Sequence, residues 1–325
     1  MPHLIVIFAY TKQTLMLRSF LALTGLFAFG SAYYYASVQG TVWFAAHVVA
    51  VPLTALYVLF SIRARQPLLA GLVLGMAYMT RPATLALAPL FVIEALAAAR
   101  PADATGPVDP ESIYGRALHL LRQVEPRRAL RSLALFALPV LSIMAINAAL
   151  NYLRFGDAFE VGYRFLRIRW SARIEKWGLF NYHYLAKNLA VFLAALPWIS
   201  SAAPYIRISR HGLALWVTTP NYVWVLWPKR VRVLMVSLSA AALPTALLVL
   251  CYQNSGWIQF AYRFSLDYSV LLVALLALGG RRFGVGFHAM LVFAVALNTF
   301  GALTFDRDPR FYDRDHTQNV IFQPD

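Results

Sequence analysis

Apolar stretches near the twenty residues needed to cross a bilayer recur along this chain, broken by short clusters of arginine, lysine, glycine and proline. Nine read as spans, over residues 15–36, 41–60, 67–80, 82–99, 130–152, 213–227, 231–250, 267–279 and 283–303. The shorter ones suit helices that are tilted, packed centrally or lining a cavity. The pattern predicts an all-α fold, a polytopic transmembrane helical bundle with an extracytoplasmic loop region. It divides the chain into membrane helices over 1–99, a cytoplasmic linker over 100–129, a membrane helix over 130–152, an extracytoplasmic loop over 153–212, further membrane helices over 213–303 and an extracytoplasmic tail over 304–325.

Composition agrees with the pattern. Of 325 residues, 60% are hydrophobic and only 13% charged, and the mean hydropathy of +0.59 lies outside the range of soluble domains. The opening MPHLIVIFAYTKQTL has neither the early basic cluster nor the small-residue cleavage pattern of a signal peptide. A formal charge of +15 would point a soluble protein toward nucleic acid. Here the basic residues fall in loops, so the expected partner is the lipid bilayer, with no nucleic acid. A cytoplasmic N-terminus places Lys12, Arg18, Arg63, Arg65, the basic stretch from Arg100 to Arg131, Lys229, Arg230, Arg232, Arg281 and Arg282 inside. The short outer connections then carry only Arg81 and Arg263. The lone Cys251 excludes an intrachain disulfide and a cysteine metal cluster.

Two amphipathic segments interrupt the spans. ESIYGRALHLLRQ, residues 111–123, reads as a surface helix within the linker, and YHYLAKNLAVFLAALPWI, residues 182–199, as an interfacial helix rather than a span.

Candidate chemistry concentrates in three places. In GMAYMTRPATL, Pro82 removes a backbone donor and turns the chain, so that Arg81 sits beside the first turn of a following helix. Guanidinium and free N–H groups together suit a phosphate, against the alternative that Arg81 snorkels to headgroups. In YQNSGWIQFAYRFSLDY, residues 252–268, Gly256 frees a turn. Trp257, Phe260, Tyr262 and Tyr268 offer flat amphipathic surfaces, and Arg263 and Asp267 stand four apart. These two either pair with each other, or Arg263 and Gln259 face a polar ligand. In NYLRFGDAFEVGYRF, residues 151–165, Gly156 permits a sharp turn; Asp157 and Glu160 are the carboxylates at that exit, with capping as the plainer role for Asp157.

Other motifs carry less. GVGFHA, residues 284–289, matches a nucleotide-binding glycine pattern but opens a membrane helix with no preceding strand. The tail FDRDPRFYDRDH, residues 305–316, has two Asp-x-Asp pairs and His316, which would suit a divalent cation. Its interleaved Arg307, Arg310 and Arg314 favour a solvated, self-paired tail instead, so no metal and no cofactor is expected.

GLVLGMAYMTRP (71–82), NYLRFGDAFEVGY (151–163), HGLALWVTTPNYV (211–223), GWIQFAYRFSLDY (256–268) and NTFGAL (298–303), in this order, resemble segments of the GT-C superfamily of polytopic glycosyltransferases, which includes protein mannosyltransferases and aminoarabinose transferases. The resemblance spans about residues 20–305. It implies transfer of a sugar from a polyprenyl-phosphate donor to a glycan, lipid or protein acceptor outside the cytoplasm, in a bacterial inner membrane. Arg81 and Arg263 would then neutralise the phosphate leaving group, with Tyr163, Gln259, Tyr262 and Asp267 shaping the substrate site. The chain departs from the family in one respect. Its first outer loop, ASVQGTVWFAAH, has no acidic residue where the family carries its essential one. His47, Asp157 and Glu160 are the substitutes at hand, and an N-terminally incomplete enzyme, a catalytically silent subunit of the same descent and a lipid-linked glycan transporter are the alternatives.

Overall fold

The computed structural model describes residues 2–101, 123–166, 171–229 and 231–312. The surface helix expected over 111–123 therefore lies almost wholly outside the described residues, as do Asp313, Arg314, Asp315 and His316 of the tail. In chain order the helices are α1 (Pro2–Phe29), α2 (Ala32–Ser37), α3 (Val42–Ser61), α4 (Pro67–Thr80), α5 (Pro89–Ala98), α6 (Pro126–Phe155), α7 (Ser171–Trp177), α8 (Leu185–Ala194), α9 (Leu215–Thr218), α10 (Val233–Leu250), α11 (Leu266–Leu278) and α12 (Val285–Thr304). A two-residue antiparallel pair, β1 (Trp198–Ile199) with β2 (Ile206–Arg207), is a minor addition to an all-α fold.

Among the described residues, four helices are long and apolar enough to cross a membrane: Val42–Ala64, Pro126–Phe155, Val233–Leu250 and Val285–Thr304. Shorter apolar helices cover Met16–Phe29, Pro67–Thr80 and Pro82–Ala98. Three expected spans are cut by local chemistry. The 15–36 run breaks at Ser31, whose hydroxyl donates to Phe27 O at 2.7 Å and accepts the Tyr33 N–H, capping a new helix. The 82–99 run opens as a 3-10 helix, Pro82–Leu87, and becomes α-helical only at Pro89. The 213–227 run is the single turn of α9, then a 3-10 helix from Pro220 to Leu226, because the residue before Pro220 is held out of the helical region. At ten residues α8 is about 15 Å long, half a bilayer, which suits the interfacial reading of that segment.

The chain forms two compact units, interleaved in sequence: residues 1–48, 176–231 and 249–325 in the first, 49–175 and 232–248 in the second. In the first, α1, α11 and α12 surround Leu26, Leu215, Tyr222, Phe287 and Ala294.

In the second, α4 lies along α6. Gly71 and Gly75 make the close approach: a Cβ on Gly71 would strike the Phe136 carbonyl oxygen and stand 2.7 Å from Pro139 Cγ, and one on Gly75 would stand 2.6 Å from Ile143 Cδ1. Small residues four apart are how apolar helices pack where lipid removes any hydrophobic gain from pairing. Phe91 of α5 stacks on Phe136 of α6, centroids 4.2 Å apart. The turn after α3 puts Arg63 and Ala64 at positive φ, 56° and 47°. Buried Glu94 fastens it, accepting the Arg63 N–H at 2.8 Å and the Ser237 hydroxyl at 2.6 Å.

Two substitutions test this packing. Gly71→Leu should lower stability by about 1–3 kcal/mol or more through overpacking against backbone, and Glu94→Leu by about 1–3 kcal/mol by orphaning the buried Ser237 hydroxyl and the part-buried Arg63 N–H. Both are read as falls in the thermal unfolding midpoint of the detergent-solubilised chain; an unchanged midpoint for Gly71→Leu would refute the helix contact.

Candidate functional site

The most polar buried region of the first unit is the chain segment from 253 to 267, which leads into α11 and in which Gln253, Asn254, Ser255, Gln259, Arg263, Ser265 and Asp267 are all buried. Its backbone is fastened to residues 210–213: the Gln259 N–H donates to Arg210 O at 3.1 Å and the Leu213 N–H to Phe260 O at 2.8 Å. The Gln259 side chain closes the arrangement. Its Nε2 donates to His211 O at 2.7 Å and Ser255 O at 2.6 Å, and its Oε1 accepts the Arg263 N–H at 3.0 Å. Two glycines leave room for that amide. Gly256 has φ +100°, and a Cβ there would collide with the Gln259 amide oxygen and stand 2.8 Å from Cδ; Gly212 has φ +81°, and its Cβ would stand 2.8 Å from Gln259 Cγ. His211 adds a bond of 2.7 Å between Nδ1 and Ser255 Oγ.

NTFGAL meets the same segment from α12. A Cβ on Gly301 would stand 2.7 Å from Phe260 Cγ, inside the ring's own space, so glycine is what lets the buried Phe260 lie against this helix. Three motifs distant in sequence, 211–223, 256–268 and 298–303, thus pack together in one unit.

At the head of α11 the segment delivers its charges. Arg263 is 6% exposed, and its guanidinium carbon lies 4.7 Å from the Phe44 ring centroid and 5.7 Å from that of Phe264, within cation–π range. Asp267, in the first turn, is 1% exposed; its Oδ1 lies 3.2 Å from Nδ1 of His47, also 1% exposed. A carboxylate there also gains from the positive end of the helix dipole. Two residues read separately in the sequence, one as a weak candidate base and one as a binding residue, are therefore a buried pair.

The aromatics of this motif correct an expectation. Phe260, Tyr262 and Tyr268 are buried, Tyr262 lying edge-on to Phe192 and Phe264, so they are core rather than exposed faces for a sugar. Trp257 alone of the four keeps partial exposure, beside His211 at 4.8 Å between ring centroids.

The remaining candidates belong to the second unit. Arg81 ends α4 with extended backbone, as the proline turn requires, and its carbonyl accepts both the N–H and the hydroxyl of Thr84. The expected α-helical N-terminus at Pro82 is a 3-10 turn instead. Gly156, φ +73°, ends α6 as a left-handed cap. Asp157 Oδ1 accepts the Phe159 N–H at 2.9 Å and Glu160 Oε1 the Gly162 N–H at 2.7 Å, so both carboxylates fasten turns. Tyr163 starts a 3-10 turn nearby and is half-buried.

Sequence reasoning passed over several residues that matter. His211 and Ser255 form the buried bond above. Asn188 donates to Leu250 O at 2.8 Å and Tyr252 O at 2.6 Å, and Asn298 to Thr218 O at 2.8 Å. Asn188 and Asn298 are polar residues within largely apolar stretches, the signal by which the sequence marks them. Among the described residues no group of three or more His, Cys, Asp or Glu is placed to hold a metal ion. Comparison with models of protein families, with curated proteins and with solved structures finds no match to this chain.

The Gln259 amide is the part most exposed to test. Gln259→Leu keeps the bulk but leaves two carbonyls and one N–H without their partner; unfolding should become easier by about 2–4 kcal/mol. Asn298→Leu, which strips the amide's two bonds, to Thr218 O and Ala294 O, should cost less. Equal, negligible effects in chemical denaturation would contradict the geometry.

Proposed function

We propose that this chain is a GT-C-like membrane glycosyltransferase that moves a sugar from a polyprenyl-phosphate donor to an acceptor outside the cytoplasm. The observation that carries the reading is the charged group at the head of α11: Arg263, and Asp267 paired with His47, buried in a unit built of apolar helices. Ionisable residues kept in such surroundings default to function because their desolvation is costly. They also fall within, or pack against, the very segment that resembles the family.

In this reaction an acceptor hydroxyl oxygen forms the new bond to the anomeric carbon. The bond from that carbon to the phosphate oxygen breaks, and its electron pair leaves on the polyprenyl phosphate. Arg263 stabilises the charge growing on that phosphate. The hydroxyl proton passes to His47, whose Nδ1 faces Asp267, so that uptake falls on Nε2. His47 thereby answers the lack of an acidic residue in the first outer loop, and Asp157 and Glu160 are left to their turns. The arrangement as seen is closed, and the rings of Phe44 and Phe264 over Arg263 must part for a phosphate to enter.

A second reading, a silent membrane subunit of the same descent, draws on that burial, since a structural ion pair would look the same. Turnover separates the two. Purified full-length protein in liposomes with polyprenyl-phosphate-linked sugar should release polyprenyl phosphate, and Arg263→Ala or Asp267→Asn should cut the rate roughly a hundredfold or more. Absence of release with every donor and acceptor supplied would leave the silent subunit.

The reading also includes about nine crossings with the N-terminus inside, following the distribution of lysine and arginine. In a Cys251→Ala background, Arg207→Cys, on the exposed β2, should react with a membrane-impermeant maleimide added outside intact cells. Protection from outside, with labelling only after permeabilisation, would invert the orientation.

A further inference from the structure

The tail was expected to neutralise its own aspartates, and part of it does: Arg310 grips Asp308 through Nε at 2.9 Å and Nη2 at 2.7 Å, a contact that holds the Asp308 carboxyl below its usual range. Asp306 is treated differently. Its neighbour Arg307 turns away, donating to Ala302 O at 2.6 Å and Val38 O at 3.2 Å. Among the described residues the Asp306 carboxylate has neither a hydrogen bond nor an ion pair. Its backbone is left-handed, φ +59°, a conformation that costs free energy for a non-glycine residue although aspartate tolerates it better than most.

This carboxylate borders a cavity of about 260 Å³ just beyond the C-terminal end of α12, lined by Arg210, Ile258, Phe305, Asp306, Pro309 and Tyr312. Arg210 also lines the cavity; its guanidinium carbon lies 6.0 Å from the Trp257 ring centroid, and it has no ion pair among the described residues. An acid and a base thus share one small cavity without neutralising each other. Tyr312 shares a bond of 2.8 Å with Thr304 Oγ1; burial, the largest cause, pushes its phenol well above the ordinary range, so it stays neutral. The cavity lies below the roughly 300–1,000 Å³ of sites for drug-sized ligands, and therefore suits one ring.

We infer that this cavity binds a single sugar ring, with Asp306 accepting from ring hydroxyls, Arg210 donating to ring or hydroxyl oxygens, and the exposed Ile258 and Pro309 against the apolar face. A carboxylate and a guanidinium held apart beside exposed aliphatic carbon match a ligand that carries donors and acceptors on its rim and C–H groups on its face. Its assignment as the acceptor seat rests on the transferase reading; its capacity to hold a sugar does not.

The test is binding, measured apart from turnover. Saturation-transfer NMR titrations of the purified full-length chain use methyl α-mannoside, methyl α-glucoside and glucosamine as probes, with ethylene glycol as a control for loose polyol contact. At least one glycoside should give a saturable signal. Asp306→Asn keeps a residue that tolerates positive φ and should weaken that binding roughly tenfold or more, as should Arg210→Gln, each losing a charged hydrogen bond. Unfolding midpoints matching the wild type establish that both variants are folded. No saturable binding by any probe, or equal affinity in both folded variants, would overturn the inference. Saturable, Asp306-dependent binding by a chain that transfers no sugar would keep the cavity and remove the transferase; transfer with binding indifferent to Asp306 and Arg210 would do the reverse.

Discussion

The side-chain amide of Gln259 can satisfy three backbone groups only if nothing else occupies its space, and the polar region of the first unit is arranged around that constraint. Its bonds to His211 O, Ser255 O and the Arg263 N–H join a loop from one part of the chain to a loop fifty residues earlier. Buried amides and carbonyls that lose such partners pay a desolvation penalty with no water to relieve it. Glycine at 212 and 256 follows from positive φ and from the volume of the amide itself. Once this segment is held, the start of α11 is fixed, and with it the direction of Arg263 and the meeting of Asp267 with His47.

The same economy of space operates in both units. Phe260 fits because residue 301 has no side chain, and α4 reaches α6 because residues 71 and 75 have none. Polar side chains then act as fasteners within apolar surroundings: Asn188 and Asn298 tie helices to neighbouring carbonyls, and Glu94 holds a strained turn. Apolar helices gain little from one another in a lipid environment, so close backbone approach and hydrogen bonds carry a larger share of specificity.

Much of this was legible in the chain. Hydropathy gave the helices, Gly156 and Gly256 the turns, and the proline at 82 the break after Arg81, because each depends on local sterics that neighbouring residues display. The interruptions at Ser31 and Thr219 were harder to see. Serine in an apolar run reads as a tolerated helix residue until its capping bond is known, and the proline at 220 was outweighed by the hydrophobicity around it. The pairing of His47 with Asp267 was not legible at all, since 220 positions separate them and neither carries a local sign of the other. The aromatics of 256–268 misled for a related reason: period and composition do not distinguish an interfacial ring from a core ring, and only the packing of α12 and α8 decides it.

Hydrogen exchange on the full-length chain in lipid nanodiscs tests the central claim directly, that residues 209–213 and 252–263 form one hydrogen-bonded structure centred on Gln259. The amides of Leu213, Gln259 and Arg263 should exchange as slowly as those in the interior of α11. Exchange as fast as that of the exposed turn over 200–205 would mean that the amide of Gln259 does not hold this segment, and the geometry of the charged group built on it would fall with it.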